Sequence, residues 1–380
     1  MPWPPSTGWA GITRIECPAV NNHSKVGALI RPEILESAAY AVADAGALIK
    51  LDAMENPYGW PAEIKRAWLE ELKDTEVNRY PDHAGRAIKE QLREVFSLPA
   101  GNGILLGNGS DEIIQVIIMA LARPGAVVMA PEPTFVMYRF LARALNLEFV
   151  GVPLLAPDFT LDSDGMLAAV AQHQPAVIFL AWPNNPTGNL FDEDTVERII
   201  AAAPGLVIVD EAYTAFAGAS FMEKIPRYDN LLVMRTLSKL GLAGLRLGYL
   251  TGGAEWIDEF EKLRLPYNIN VLSQKSVAFF LKHVDVMNGQ AARIRADRDA
   301  LIRDMSGING ISVWPSATNF ILFRCRTRPG EAVYEGLKER GILVKNLHGS
   351  HASLADCLRV TVGTPVECEQ FLAALKGLLA

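Results

Sequence analysis

At 380 residues, half of them hydrophobic, the chain exceeds what one hydrophobic core usually supports, so two domains are expected. A formal net charge of -7, with basic residues scattered rather than gathered in a stripe, excludes an extended nucleic-acid surface but leaves room for a local basic pocket that holds a small anion. The longest apolar runs, such as 113–122, fall short of a membrane span, and the N-terminus lacks the basic start and apolar core of a signal peptide, which points to a cytoplasmic protein. Cys17, Cys325, Cys357 and Cys368 show no CxxC spacing and read as thiols in a reducing compartment.

Residues 1–30 are rich in Pro, Asn, Gly and Ser and read as an arm draped over a partner subunit. Residues 31–44 read as a short helix. The loop at 51–60 is punctuated by Asn56-Pro57 and Tyr58-Gly59, and a helix over 61–72 follows. Asn78-Arg79-Tyr80-Pro81-Asp82 stops it, because a residue before proline is pushed away from helical angles. Next, 105–112 joins a short strand to a helix over 111–122, where Ile113, Ile114, Ile117, Ile118 and Leu121 make one apolar stripe. Ser110 is expected as its N-cap, and Gly107 and Gly109 as points where backbone approaches a ligand. Glycines followed by the positive end of a helix suit an anion, although a plain strand-to-helix turn reads equally well.

From 126 onward, short apolar runs without alternation lie at 126–130, 147–153, 176–181, 206–210, 231–235 and 247–251, with helical stretches such as 192–203 between several of them. Unbroken apolar strands separated by helices indicate a doubly wound α/β unit with a mainly parallel sheet. Three of these strands run into polar groups: Trp182-Pro183-Asn184-Asn185-Pro186-Thr187-Gly188, then Asp210-Glu211-Ala212-Tyr213, then Thr236-Leu237-Ser238-Lys239. Ligands in open α/β sheets sit outside the carboxyl ends of the strands, so these groups should converge. After Pro266-Tyr267-Asn268, a helical pattern covers 273–305 with a break near 288–289. Strands at 311–313, 319–324, 342–346 and 357–362 and helices at 331–340 and 365–379 then describe a smaller α+β unit. His348 and His351 lie in a polar loop without ligand spacing, and no metal is expected.

The chemistry follows from residue types. Lys239 beside Thr236, Ser238 and Arg246 offers an amine for a carbonyl and a guanidinium and hydroxyls for a phosphate. Asp210 ends an apolar strand, where a carboxylate is costly without a cationic partner, and a pyridinium nitrogen would be one. Asn185 and Tyr213 suit the same ring's phenolic oxygen, and Phe135 offers a stacking face. Taken singly, each also fits a loop lysine, a helix cap, a turn or a core aromatic. Their common order at strand ends favours the ring.

Asn185-Pro186-Thr187-Gly188, Asp210-Glu211-Ala212-Tyr213 and Ser238-Lys239 with Arg246 resemble the signature of fold-type I pyridoxal-phosphate aminotransferases. Glu55-Asn56-Pro57-Tyr58-Gly59, Tyr80-Pro81-Asp82, Gly107 to Glu112, Pro266-Tyr267-Asn268 and Leu358 to Thr364 are similar to the histidinol-phosphate group within it. The resemblance implies pyridoxal 5'-phosphate as cofactor, with Lys239 as the Schiff-base lysine and proton shuttle. It implies Asp210 on the ring nitrogen, Asn185 and Tyr213 on the phenolic oxygen, and Phe135 against the ring. It assigns the phosphate to Ser238, Arg246, Ser110 and Asp111, with Tyr58 arriving from a partner subunit. Arg359, Lys345 and Tyr267 are its substrate-side residues, Lys345 standing where some relatives carry arginine. It further implies ping-pong transfer from a small amino donor to a 2-oxo acid in histidine biosynthesis, in a homodimer with active sites at the interface. Aromatic amino-acid transamination and amino-acid-phosphate decarboxylation are the alternatives on this scaffold. The expected division is 1–49 as arm and part of the small domain, 50–272 as the large cofactor-binding domain, and 273–380 as the small C-terminal domain.

Overall fold

The computed structural model describes residues 25–39 and 42–379. Most of the expected N-terminal arm, and Cys17, lie outside them. In chain order the strands are β1 Ile49–Lys50, β2 Gly103–Gly107, β3 Val127–Glu132, β4 Glu148–Pro153, β5 Val177–Ala181, β6 Leu206–Asp210, β7 Leu231–Thr236, β8 Gly248–Gly252, β9 Ile311–Val313, β10 Phe320–Cys325, β11 Ile342–Leu343, β12 Lys345–Asn346 and β13 Cys357–Thr361.

Seven of them form one sheet in the order β2-β8-β7-β6-β5-β3-β4. β4, β3, β5, β6 and β7 run parallel, and β8 lies antiparallel to both β7 and β2. β5 and β6 are buried throughout because each face carries its own core. Ile178, Leu180, Val207, Val209 and Val233 pack into one cluster, while Val177, Phe179, Ile208, Leu232 and Met234 pack into another. Period-two alternation between two apolar faces explains why these strands read as unbroken hydrophobic runs. The expected α/β class, a large mainly parallel sheet with a smaller unit, is what the chain forms.

The second sheet, β12-β13-β10-β9, is antiparallel. Its core joins Phe320, Phe323, Leu337, Leu358 and Phe371, and it also takes in Leu51, Tyr213 and Phe216 from elsewhere in the chain. β1 pairs in parallel with β11, and Thr361 N–H donates to Leu51 carbonyl at 2.8 Å, so the segment entering the 51–60 loop is fixed against this second unit.

Several local expectations are corrected. The helix expected over 31–44 is confined to Pro32–Leu35 and has no buried residue, so no tertiary burial supports a longer one. A helix at Arg86–Val95, which went unread, buries Ile88 and Leu92. The long helical pattern breaks at residues 282–283, between Val271–Leu281 and Val284–Ser306, rather than at 288–289. Gly289 stays helical because the surrounding helix offsets the ~1 kcal/mol that an interior glycine costs. Ser110 is the first residue of its helix and Gly109 holds the N-cap position.

Candidate active site

β5, β6 and β7 are neighbours, and their carboxyl ends open on one cleft of about 360 Å³. Its walls include Asn185, Asp210, Tyr213, Ser238, Lys239, Arg246, Ser110, Asp111 and Phe135, nine of the residues singled out from the sequence. Tyr58, Tyr267, Lys345 and Arg359 are not among its lining residues.

Lys239 sits on a single 3-10 turn, Ser238–Leu240, directly after β7. Its Nζ is 3.3 Å from the Ala53 carbonyl and 6.0 Å from the centre of the Tyr213 ring. Burial, reinforced by the positive charges of Arg359 and Arg246, pulls its amine down to about 8, against the pull of Glu55 and Asp111. A substantial fraction is therefore neutral, and nucleophilic, near physiological pH.

Asp210 ends β6 and is 4 % exposed. Its Oδ2 accepts the Tyr138 hydroxyl at 2.6 Å and its Oδ1 accepts the Ala212 N–H at 3.1 Å. Burial pushes its carboxyl up to about 6, and these two donors hold it from rising further. It therefore remains mostly an anion at neutral pH, facing a cavity where a cation would be its natural partner.

Asn185 belongs to a loop fixed by its neighbour Asn184. The Asn184 side chain donates to the Pro133 carbonyl at 2.9 Å and to Thr187 Oγ1 at 2.7 Å, and it accepts from Thr134 Oγ1 at 2.7 Å. Thus held, Asn185 donates to the Tyr213 hydroxyl at 3.2 Å and accepts from Arg359 Nη1 at 2.5 Å. Arg359 also donates to the Asp52 carbonyl at 2.9 Å and lies over the Phe320 ring. It is a buried guanidinium that stands one residue behind the cleft wall. Lys345 is its cross-strand partner on β12, and burial together with Arg359 lowers the ammonium's pKa.

Another part of the cleft wall has groups that suit an anion. The helix Ser110–Leu121 begins there with no side chain capping its first N–H groups, which have no acceptor inside the helix. Gly109, at φ +87°, brings the turn against Arg246, since a Cβ there would lie 2.5 Å from Nη2. Gly107 is also required by packing, since a Cβ there would strike Ile113 Cγ1 at 2.4 Å. Arg246 has a left-handed backbone at φ 53°, a conformation costing about 1–3 kcal/mol that persists only where the surroundings enforce it. Its guanidinium is 3.8 Å from Asp111, whose carboxyl burial pushes up against the pull of Arg246 and Lys239. Thr236 and Ser238, both buried, share a hydroxyl–hydroxyl bond of 2.9 Å beside it. Asn268, from the Pro266 to Asn268 motif, pins the turn by donating to the Leu106 carbonyl and to Glu112, which in turn accepts the Asn108 N–H.

Two tyrosines lie elsewhere. The Tyr58 hydroxyl donates to Asp297, and its ring lies 4.0 Å from the Arg293 guanidinium, both on the helix Val284–Ser306. Tyr267 stacks on Tyr80 at 4.3 Å, on the surface. Sequence reasoning overlooked Tyr138, which touches Asp210. Among the described residues no group of three or more His, Cys, Asp or Glu is arranged to hold a metal, and no helix is long and apolar enough to cross a membrane.

The family description "Aminotransferase class I and II" matches residues 47–375. The chain is 54% identical over 353 residues to histidinol-phosphate aminotransferase 2 of Nitrosococcus oceani, covering 93% of this chain and 98% of that protein. It is 52% identical over 359 residues to histidinol-phosphate aminotransferase 1 of Ralstonia nicotianae, covering 93% and 95%. Among solved structures, histidinol-phosphate aminotransferase from Sinorhizobium meliloti, in complex with pyridoxal-5'-phosphate, superposes with a TM-score of 0.83 at 23% identity over 93% of this chain and 98% of that one, a likeness of fold.

Proposed function

The chain belongs to the class I and II aminotransferase family, and from that membership we propose that it moves the amino group of histidinol phosphate to 2-oxoglutarate, using pyridoxal 5'-phosphate in a ping-pong reaction. Relatives named for that donor at 54% and 52% identity over nearly the whole chain support the choice over an aromatic amino acid or a decarboxylation.

The cleft fits the cofactor on its own terms. Uncapped helix N–H groups, Arg246 and the Thr236–Ser238 hydroxyls match a phosphate at one end; a buried carboxylate, Asp210, matches a protonated ring nitrogen at the other. When bound, pyridoxal phosphate supplies a carbonyl for an amine and an electron sink for the bond being broken. Lys239 then serves as the anchoring amine and as the base that carries a proton at the substrate α-carbon, a task its lowered basicity favours. Asp210 holds the ring-nitrogen proton. Asn185 and Tyr213, already bonded to each other, would hold the phenolic oxygen, and Phe135 would offer its face to the ring. Ser110 and Asp111 contribute backbone N–H groups to the phosphate site.

On the substrate side, Arg359 and Lys345 form a paired positive site for the donor's phosphate. Tyr267 belongs to the same donor side, and Tyr58 reaches in from the partner subunit of a homodimer in which each subunit helps complete its partner's cleft. The exposed Tyr80–Tyr267 stack and Leu265, 71 % exposed, support an interface there. The division into 1–49, 50–272 and 273–380 and a cytoplasmic location belong to the same proposal.

The observation that carries this reading is Lys239 sharing one cleft with a phosphate-type cradle and a buried carboxylate. Single-turnover conversion of the bound cofactor, followed by its visible absorption, tests the donor. Histidinol phosphate should react at least tenfold faster than phenylalanine or tyrosine, and the reverse order would replace it with an aromatic amino acid.

A further inference from the structure

Tyr138 is wholly buried on the first turn of the helix Met137–Ala144. Its ring lies flat on Phe179 of β5, with centroids 4.6 Å apart and planes at 9°, and meets Phe135 edge-on at 5.6 Å. A phenylalanine would satisfy all of that packing. The hydroxyl adds one bond, to Asp210 Oδ2 at 2.6 Å, within the range of an O–H donor to an ionised acceptor. The aromatic stack therefore has a polar end, and that end is on the carboxylate facing the cleft.

We propose that Tyr138 is a positioning residue: its hydroxyl keeps Asp210 an anion and fixes the carboxylate plane, leaving lone pairs on both oxygens for a cationic N–H in the cleft. The proposal deepens the reading of the site given above and rests on it. Three features support it. The hydroxyl donates and the oxygen accepts, so the bond favours the charged form of Asp210. Burial beside Asp210 holds the phenol far above its ordinary range, so it stays protonated and keeps donating. The other groups bearing on Asp210 are Ala212 N–H, which helps, and Asp111 and Glu211, whose negative charges oppose its ionisation; Tyr213 lies nearby on the same segment. Tyr138 is thus the one side chain among these that offsets two repelling carboxylates. Phe135, just before the helix, and Tyr138, on its first turn, let one short segment supply both a face for a ring and the support for the group that would bind its nitrogen.

The test is the titration of Asp210 in cofactor-free protein, read as its carboxyl infrared band and assigned by loss in Asp210→Asn. Tyr138→Phe should raise the midpoint by about one pH unit. In the loaded enzyme the acid limb of kcat should move up by a similar amount, with KM for the donor changed less than about twofold. Phe179→Leu, which disturbs the same packing but keeps the hydroxyl, should lower thermal stability and leave the midpoint in place. An unmoved midpoint in Tyr138→Phe, or an equal shift in Phe179→Leu, would overturn the proposal. Failure of the underlying reading looks different: wild-type protein that gains no visible band with pyridoxal phosphate would refute the cofactor assignment, while the cofactor-free titration would still decide what Tyr138 does.

Discussion

Asn185, Asp210 and Lys239 lie at the ends of three adjacent strands of one sheet, whereas Arg359 and Lys345 stand on a second sheet, from which Arg359 reaches Asn185 by a 2.5 Å bond and Lys239 by its charge. The first group is positioned by strands buried on both faces, so its geometry is a property of one rigid core. The second depends on how two units sit together. In the proposed reaction this contrast assigns the chemistry to one sheet and the choice of donor to the junction. Changes to the strand-end residues should therefore abolish turnover, and changes on the second sheet should alter selectivity while leaving the cofactor site intact.

The largest expected effect comes from Asp210→Ala. Losing the buried carboxylate should lower kcat by about 10³-fold, in line with the removal of a preorganised charge in a water-poor site. A loss below tenfold in steady-state assays would show that the carboxylate is not the ring partner. Arg359→Ala should retain the visible band and lower kcat/KM for histidinol phosphate by about 10²-fold, the worth of one or two charge-assisted bonds. Equal losses for phenylalanine as donor would mean that Arg359 acts only through Asn185, which would blur the contrast between the sheets.

A smaller effect concerns pH. Because burial and Arg359 pull the Lys239 amine down to about 8, its reactive neutral form is half present near that value, dominant above it, and falls about tenfold per unit well below it. The rate at which cofactor-free protein takes up pyridoxal phosphate should rise with pH and level off just above 8. A rise that continues beyond pH 10 would mean that Lys239 keeps an ordinary lysine's basicity.

What the sequence disclosed divides along the same line. β5, β6 and β7 were legible as unbroken apolar runs because both faces are buried, and each run points to the polar residue at its end. Asp210 and Lys239 could be found for that reason. Tyr138 was hidden because an aromatic on a helix beside a sheet looks like core, and only the fold brings its hydroxyl to a carboxylate 72 residues away. The same holds for Arg359: β13 reads as a strand, but its bond to Asn185 spans 174 residues and no periodicity encodes it. The helix break was misplaced because Asn288 and Gly289 carry a local signal that the packing of Val284–Ser306 overrides.

The central claim is that Lys239, lowered in basicity and flanked by an anion cradle and a buried carboxylate, is the amine that carries the cofactor. Borohydride treatment of protein loaded with pyridoxal phosphate, followed by peptide mass spectrometry, tests it directly. The reduced cofactor should be found on the peptide containing Lys239, and Lys239→Ala should yield no labelled peptide. Label on another lysine, or undiminished label in that variant, would contradict the assignment.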